Sequence, residues 1–140
     1  MKKSTEELLN TLKNTPNLDT YLSLENENMT TTSLADYLNV LCAQKKLSPA
    51  QCIKNSGLDR TYAYQIFSGD KHPARDKVLA LCFGFSLSFE ETQKLLKATG
   101  YPILYAKTKR DSAIIFALQR SCSLPDINEL LFEMGMDLIK

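Results

Sequence analysis

The sequence predicts an all-α fold, on three observations. Apolar residues recur at the i, i+3, i+4 spacing of a helix face and seldom at the alternate spacing of a strand. Glycine and proline number only five each in 140 residues, few for the turns of a sheet protein. Ser or Asp stands repeatedly just ahead of an apolar-periodic segment, as helix caps do. An apolar content of 44% is enough for a folded core in a chain of this length.

The first element is a short helix over 4–14, STEELLNTLKN. Ser4 and Glu7 form a capping box, and Leu8, Leu9 and Leu12 make one stripe. Residues 15–17, Thr-Pro-Asn, end it. Residues 17–32 are polar and irregular, an arm that either packs on the body or reaches DNA or a second subunit. Residues 1–44 carry three basic and six acidic side chains, which favours packing over DNA.

Ser33 opens a strong helix with Asp36 three residues on. Leu34, Tyr37, Leu38, Leu41 and Cys42 share its inner face, and Lys45 and Lys46 suit its C-terminal dipole. Ser48-Pro49 starts a second helix, which stops at Gly57. Asp59 caps a third, running to about residue 67, and Gly69 closes it before the loop Asp70-Lys71-His72-Pro73. A fourth helix over about 74–83 carries Val78, Leu79, Leu81 and Cys82 and should be the central buried one. Ser88 with Glu91 boxes a fifth, to about 99, with Phe89, Thr92, Leu95 and Leu96 inward and a Glu90–Lys94 pair outside. Gly100 and Pro102 stop it.

Two more helices follow. Asp111 is expected to cap one over about 112–121, whose run AIIFAL at 113–118 should be covered on more than one side. Ser123 caps the last, over about 124–134, with Ile127, Leu130, Leu131 and Met134 inward and Gly135 as its C-cap. Three regions result: a helical arm at 1–32, a bundle at 33–100, and a C-terminal helical pair at 101–140 packed on it.

Charge and cysteines narrow the chemistry. The net charge is +1, but residues 45–77 carry seven basic and three acidic side chains, whereas 78–140 carry seven of each. The basic excess sits on one segment, as an electrostatic footprint for nucleic acid would. Cys42, Cys52, Cys82 and Cys122 form no CxxC pair and His72 is the only histidine, so no zinc site is expected; the first three cysteines fall on apolar helix faces. No apolar run approaches the ~20 residues of a membrane span, and Met1-Lys2-Lys3-Ser4 precedes no apolar signal core. A cytoplasmic location is expected. There is no Gly-rich phosphate loop, no HExxH, and no Ser or Cys with a second histidine to serve it, so no enzyme, cofactor or small-molecule ligand is expected.

Residues 47–69, LSPAQCIKNSGLDRTYAYQIFSG, place two short helices around a glycine turn. That is the spacing of a helix-turn-helix. Cys52, Ile53, Leu58, Ala63 and Ile66 make its inner face, leaving Arg60, Thr61, Tyr64, Gln65 and Ser68 outward.

Residues 33–99 resemble the lambda-repressor/Cro-like (XRE) family of helix-turn-helix proteins. The resemblance rests on Leu47, Ser48, Gly57, Leu58, Ile66, Gly69, Lys71 and Pro73, then Leu79, Leu81 and Leu87-Ser88. It implies a five-helix bundle and a sequence-specific transcriptional regulator that inserts the 59–67 helix in the major groove of double-stranded DNA. Arg60, Thr61, Tyr64 and Gln65 would read bases, and Lys54, Lys71 and Arg75 would hold phosphates. Such a protein is expected to act as a homodimer on half-sites ~34 Å apart. The C-terminal pair either supplies the dimer surface or enlarges the core of one subunit. Three departures stand out. Pro49 replaces the Gln usual after the first serine. Ile53 and Ala63 exchange the usual sizes across the turn. Phe67 replaces an acidic residue, leaving Tyr62, Tyr64 and Phe67 as an aromatic set on or beside the reading face. That set favours a second reading, a protein-interaction adaptor on the same fold that has lost DNA recognition.

Overall fold

Caps and glycine stops set the helix boundaries in the computed structural model, which describes Thr5 and residues 32–140. The helix expected over 4–14 and the arm over 17–32 fall almost wholly outside the described residues. Among those described, all regular structure is helical, in seven helices: α1 Leu34–Lys45, α2 Pro49–Ser56, α3 Arg60–Ser68, α4 Arg75–Gly84, α5 Phe89–Ala98, α6 Lys109–Gln119 and α7 Leu124–Glu133.

Most expected starts are made by the residues named for them. Ser33 accepts from the Asp36 N–H, and Asp59 from the Tyr62 N–H. Ser88 with Glu91 and Ser123 with Asp126 close full capping boxes. Each such cap contributes about 1 kcal/mol by satisfying a donor the helix leaves open. Gly57, at φ 69°, and Gly69, at φ 90°, take the left-handed conformation that ends α2 and α3.

α4 is the central helix. Every residue of it from Val78 to Gly84 is buried, and α2, α5 and α7 all pack on it. α2 crosses it at Gly84, where a β-carbon would stand 2.5 Å from the Cys52 carbonyl oxygen. α1 lies beside α3, and α6 and α7 pair with each other. One apolar core runs through all seven helices, from Leu34 to Ile139. Cys52 and Cys82 lie in it, and burial pushes both thiols up to about 12, so neither is a nucleophile near neutral pH.

Three expectations on the later helices need correction. α6 begins at Lys109, and Thr108 is its N-cap without a side-chain bond. Asp111 is therefore inside the first turn, where it has a different use. Within the run 113–118, Ala113, Ile114, Ala117 and Leu118 are buried and Ile115 is half-buried, while Phe116 is left 47% exposed. Met134 is 41% exposed rather than inward. The Glu90–Lys94 pair is not among the ion pairs of the described residues, where instead Lys45 Nζ meets Glu91 Oε2 at 2.6 Å.

Asp111 clamps the C-terminal pair to α4. Arg75 donates to both Asp111 oxygens, at 3.1 and 2.7 Å, and to the Pro102 and Ile103 carbonyls. The residue after Arg75 and the residue before Asp111 repeat the arrangement in reverse: Arg110 donates to both oxygens of Asp76, at 2.9 and 2.8 Å. Two Arg-Asp dipeptides, 75–76 and 110–111, are thus bound crosswise. Both forks are bidentate, the geometry in which guanidinium and carboxylate match best. Burial alone would raise the Asp111 carboxyl, but the Arg75 fork, the Tyr105 N–H and the neighbouring Arg110 charge outweigh it and hold it below the ordinary carboxylate range. Side-chain amides finish the job on the extended segments. Gln93 pins Leu104 through both its N–H and C=O, and Asn128 does the same for Ile139.

Candidate functional site

α2, the turn after it and α3 are built to hold one face fixed. Ser48 and Gln51 cap each other's amides, at 2.8 and 3.2 Å, with Pro49 in the first turn. Ser56, only 1% exposed, donates to the Ile53 carbonyl at 2.7 Å and accepts from the Leu58 N–H at 3.3 Å. Its hydroxyl therefore ties the end of α2 to the residue beyond Gly57. The far end of α3 is held from α1, where the Asn39 amide donates to the Phe67 carbonyl at 3.1 Å. Ile53 and Ala63, the pair of exchanged sizes, are both buried.

With Ala63, Ile66 and Phe67 inward, helical spacing leaves Thr61, Tyr64, Gln65 and Ser68 on the outer side of α3. Arg60 joins them: its guanidinium lies 5.7 Å from the centre of the Tyr64 ring, a cation–π contact. Arg60, Thr61 and Tyr64 are exposed and Gln65 is half-buried. Lys54, Arg60 and Tyr64 converge on a cleft of about 460 Å³ whose floor is Ala50, Ile53 and Leu58. Lys71 is exposed, and its N–H bonds the Gln65 carbonyl at 3.1 Å, so the basic loop leaves α3 from a fixed point.

Arg75 does not join this group. Its fork is closed on Asp111 and two carbonyls, which leaves it a structural partner in place of a phosphate. The resemblance implied a phosphate contact here, and an ion-pair partner 36 residues away cannot be read locally. His72 itself stacks on Tyr101, at 5.3 Å between ring centres.

The aromatic set divides. Phe67 is 6% exposed and packs tilted against Phe85, 6.3 Å between centres. Tyr62 is half-buried, with Lys77 Nζ 5.2 Å from its ring centre. Tyr64 alone of the three is exposed, at 37%. Lys77 is a cation beside this site that sequence reasoning did not single out; nothing in its neighbours along the chain signals the Tyr62 contact.

Ion pairing leaves most of the basic excess in place in the folded chain. Lys45 and Arg75 are matched by Glu91 and Asp111, and Asp76 by Arg110. That leaves Lys46, Lys54, Arg60, Lys71 and Lys77 against Asp59 and Asp70 on the segment that contains α2 and α3. Among the described residues, no group of three His, Cys, Asp or Glu side chains is placed to hold a metal ion, and no helix is long and apolar enough to cross a membrane. The face offers the cations Lys54 and Arg60, the hydroxyls of Thr61 and Ser68, the Gln65 amide and the Tyr64 ring on one support, a set that binds by hydrogen bonds and charge.

The chain matches no protein-family model, no curated protein and no solved structure.

Proposed function

We propose that this protein is a sequence-specific regulator that binds double-stranded DNA through a helix-turn-helix of the lambda-repressor/Cro-like kind. In this reading α1 to α5 are the five-helix bundle, α2 braces on the backbone and α3 enters the major groove. The observation that carries it is the convergence of Lys54, Arg60 and Tyr64 at the junction of α2 and α3, with Thr61 and Gln65, the residues next after Arg60 and Tyr64, on the adjoining stripe of the same helix. Arg60 suits the two acceptors of guanine and Gln65 the acceptor and donor of adenine, while Thr61 and Tyr64 add hydrogen bonds and apolar contact. Lys54 and Lys71 hold phosphates on either side; Arg75 acts on the fold instead. The withdrawal of Phe67 into the core supports this reading, because it leaves one exposed aromatic where the sequence offered three.

Titration against duplex DNA at rising salt tests it. Affinity should fall linearly on a log–log scale. Arg60→Ala with Gln65→Ala should reduce discrimination between selected and random duplex by at least ~10-fold, since each bidentate contact is worth ~1–3 kcal/mol. Lys54→Ala should weaken both duplexes alike and lower the salt slope by about one. Affinity indifferent to salt, or untouched by the Arg60/Gln65 pair, would sink the proposal. One observation favours the adaptor reading: the apolar floor of the cleft under Tyr64. If selection from random fragments enriches no sequence, that reading takes precedence.

A further inference from the structure

The C-terminal pair has no use in the reading above, yet it closes a cavity against the bundle. The cavity measures about 500 Å³ and lies where the end of α2, the α4–α5 turn, the end of α6 and the start of α7 meet. That volume is within the range of sites that hold small organic molecules. No sequence motif marks it, because its lining comes from three separate stretches of the chain.

The lining sorts by depth. Phe83, Leu87, Leu118 and Leu124 are buried and form an apolar floor. Lys54, Ser86 and Ser121 are exposed and stand at the rim. Lys54 is the one charged residue of the lining, and it belongs to no ion pair among the described residues. Asp126, the acid nearest in sequence to the α7 wall, is bound to the Ser123 N–H in its capping box.

Both rim serines end a helix in the left-handed conformation, Ser86 at φ 56° and Ser121 at φ 55°. Glycine is the usual residue at such a place, since a β-carbon is disfavoured there. The helix ends are closed by backbone alone: the Ser86 N–H bonds the Phe83 carbonyl and the Ser121 N–H the Leu118 carbonyl. What serine adds over glycine is a hydroxyl at the cavity rim, able to donate to a ligand or accept from it. One unmatched cation beside two hydroxyls suits a single anionic group, and the floor suits an apolar body. A cationic ligand would be repelled by Lys54, and a purely polar one would leave the floor uncovered.

We infer that this cavity binds a small organic acid, its carboxylate on Lys54 and the Ser86 and Ser121 hydroxyls and its apolar body on the floor. Lys54 also lines the cleft it shares with Arg60 and Tyr64. Leu124 lies against the α2–α3 turn, 3.8 Å from where a β-carbon on Gly57 would stand. An acid in the cavity therefore draws Lys54 away from the α2–α3 face and opposes DNA binding. That consequence rests on the proposed function; the site itself does not.

The experiment is calorimetric titration of the full chain with naphthylacetate and with octanoate, an aromatic and an aliphatic body on the same anionic group. At least one should bind with a Kd below about 1 mM. The uncharged amide of naphthylacetate, and inorganic phosphate, should each bind at least ~10-fold more weakly, as should the acid to Lys54→Met, through loss of a charged hydrogen bond or of the apolar contact. Bound acid should shield Cys122, a half-buried free thiol of the lining, from iodoacetamide and leave Cys42 on α1 as reactive as before. Ser86→Gly with Ser121→Gly should raise the thermal midpoint, by relieving two left-handed residues, and yet weaken binding; a purely structural role predicts the rise without the loss. Failure of both acids to bind, equal binding of the amide, or binding indifferent to Lys54→Met overturns the inference. With duplex DNA present, saturating acid should weaken DNA binding at least ~5-fold, an ordinary coupling between sites; DNA binding unmoved by bound acid overturns the link through Lys54. A chain that binds the acid but no DNA sinks the proposed function and leaves the site, and one that binds DNA but neither acid does the reverse.

Discussion

Gly84→Ala should destabilise the protein by about 2–3 kcal/mol, the cost of forcing an extra carbon into a packed core. Alanine inside a helix normally gains up to ~1 kcal/mol over glycine, and Gly84 does not lie in the left-handed region. Local propensity therefore predicts stabilisation. The packing predicts the reverse. A β-carbon at this position stands 2.5 Å from the Cys52 carbonyl oxygen and 3.2 Å from both the Cys52 Sγ and the Ser56 Cβ. The obstructing atom is backbone, so no rotamer change relieves it. Either α2 moves away from α4 or the core opens. Both outcomes would also displace Lys54 and the turn that aims α3. Urea denaturation measures the effect as a lower midpoint with an unchanged slope. Gly135→Ala is the control, since it meets nothing within 4 Å and bears only the strain of its φ of 71°, ~1–2 kcal/mol. A rise in midpoint for Gly84→Ala would mean that α2 and α4 are not in contact as described.

The second large effect belongs to Asp111. Asp111→Ala leaves the Arg75 guanidinium without its counter-charge and the Tyr105 N–H without its 2.9 Å acceptor. Removing one partner of a mostly buried pair costs about 3 kcal/mol. Arg75→Met combined with Asp111→Leu should recover part of that loss, because no unpaired charge remains. A double cycle in which the two single losses simply add would show that the fork contributes no coupling. The pH dependence follows in sign. The folded Asp111 is held below the ordinary carboxylate value, so its stabilisation is fully present above ~4, the unfolded value. It is lost as the pH falls from there through the folded value. Asp111→Asn should therefore show a shallower loss of stability on acidification below pH ~4 than the wild type.

The helices were legible in the sequence because their signals are local. Ser33, Ser48, Asp59, Ser88 and Ser123 act within three residues of themselves, and Gly57 and Gly69 act on their own φ. Two groups on the candidate face were legible for the same reason: Arg60 and Tyr64 are one turn apart, and periodicity alone put them outward. What could not be read depends on distant partners. Asp111 has the local look of a cap, and only α4 makes it one half of an ion pair. Arg75 has the local look of a loop cation, and only α6 neutralises it. Phe67 stood where the resembling family has an acid, and its place in the core is decided by Phe85 and by the Asn39 bond from α1. Gly84 gives no signal in sequence, since an unremarkable helical φ is compatible with any residue; its reason is the closeness of another backbone.

The crossed Arg-Asp dipeptides also bear on the lifetime of the fold. They join residues 36 and 34 apart, so the chain between must be ordered before either fork closes. Interactions of that kind are expected to form after the folding barrier. Their removal then scarcely slows folding and mainly speeds unfolding. A 3 kcal/mol loss placed wholly on that step corresponds to roughly a hundredfold faster escape from the native state. In a chevron plot of Asp111→Ala the unfolding limb should rise by about two decades while the folding limb stays within a factor of about three. A folding limb lowered by the same two decades would put the clamp in the nucleus instead. On the first outcome the crossed pairs act as a latch, setting how long a folded molecule persists rather than how fast it is made.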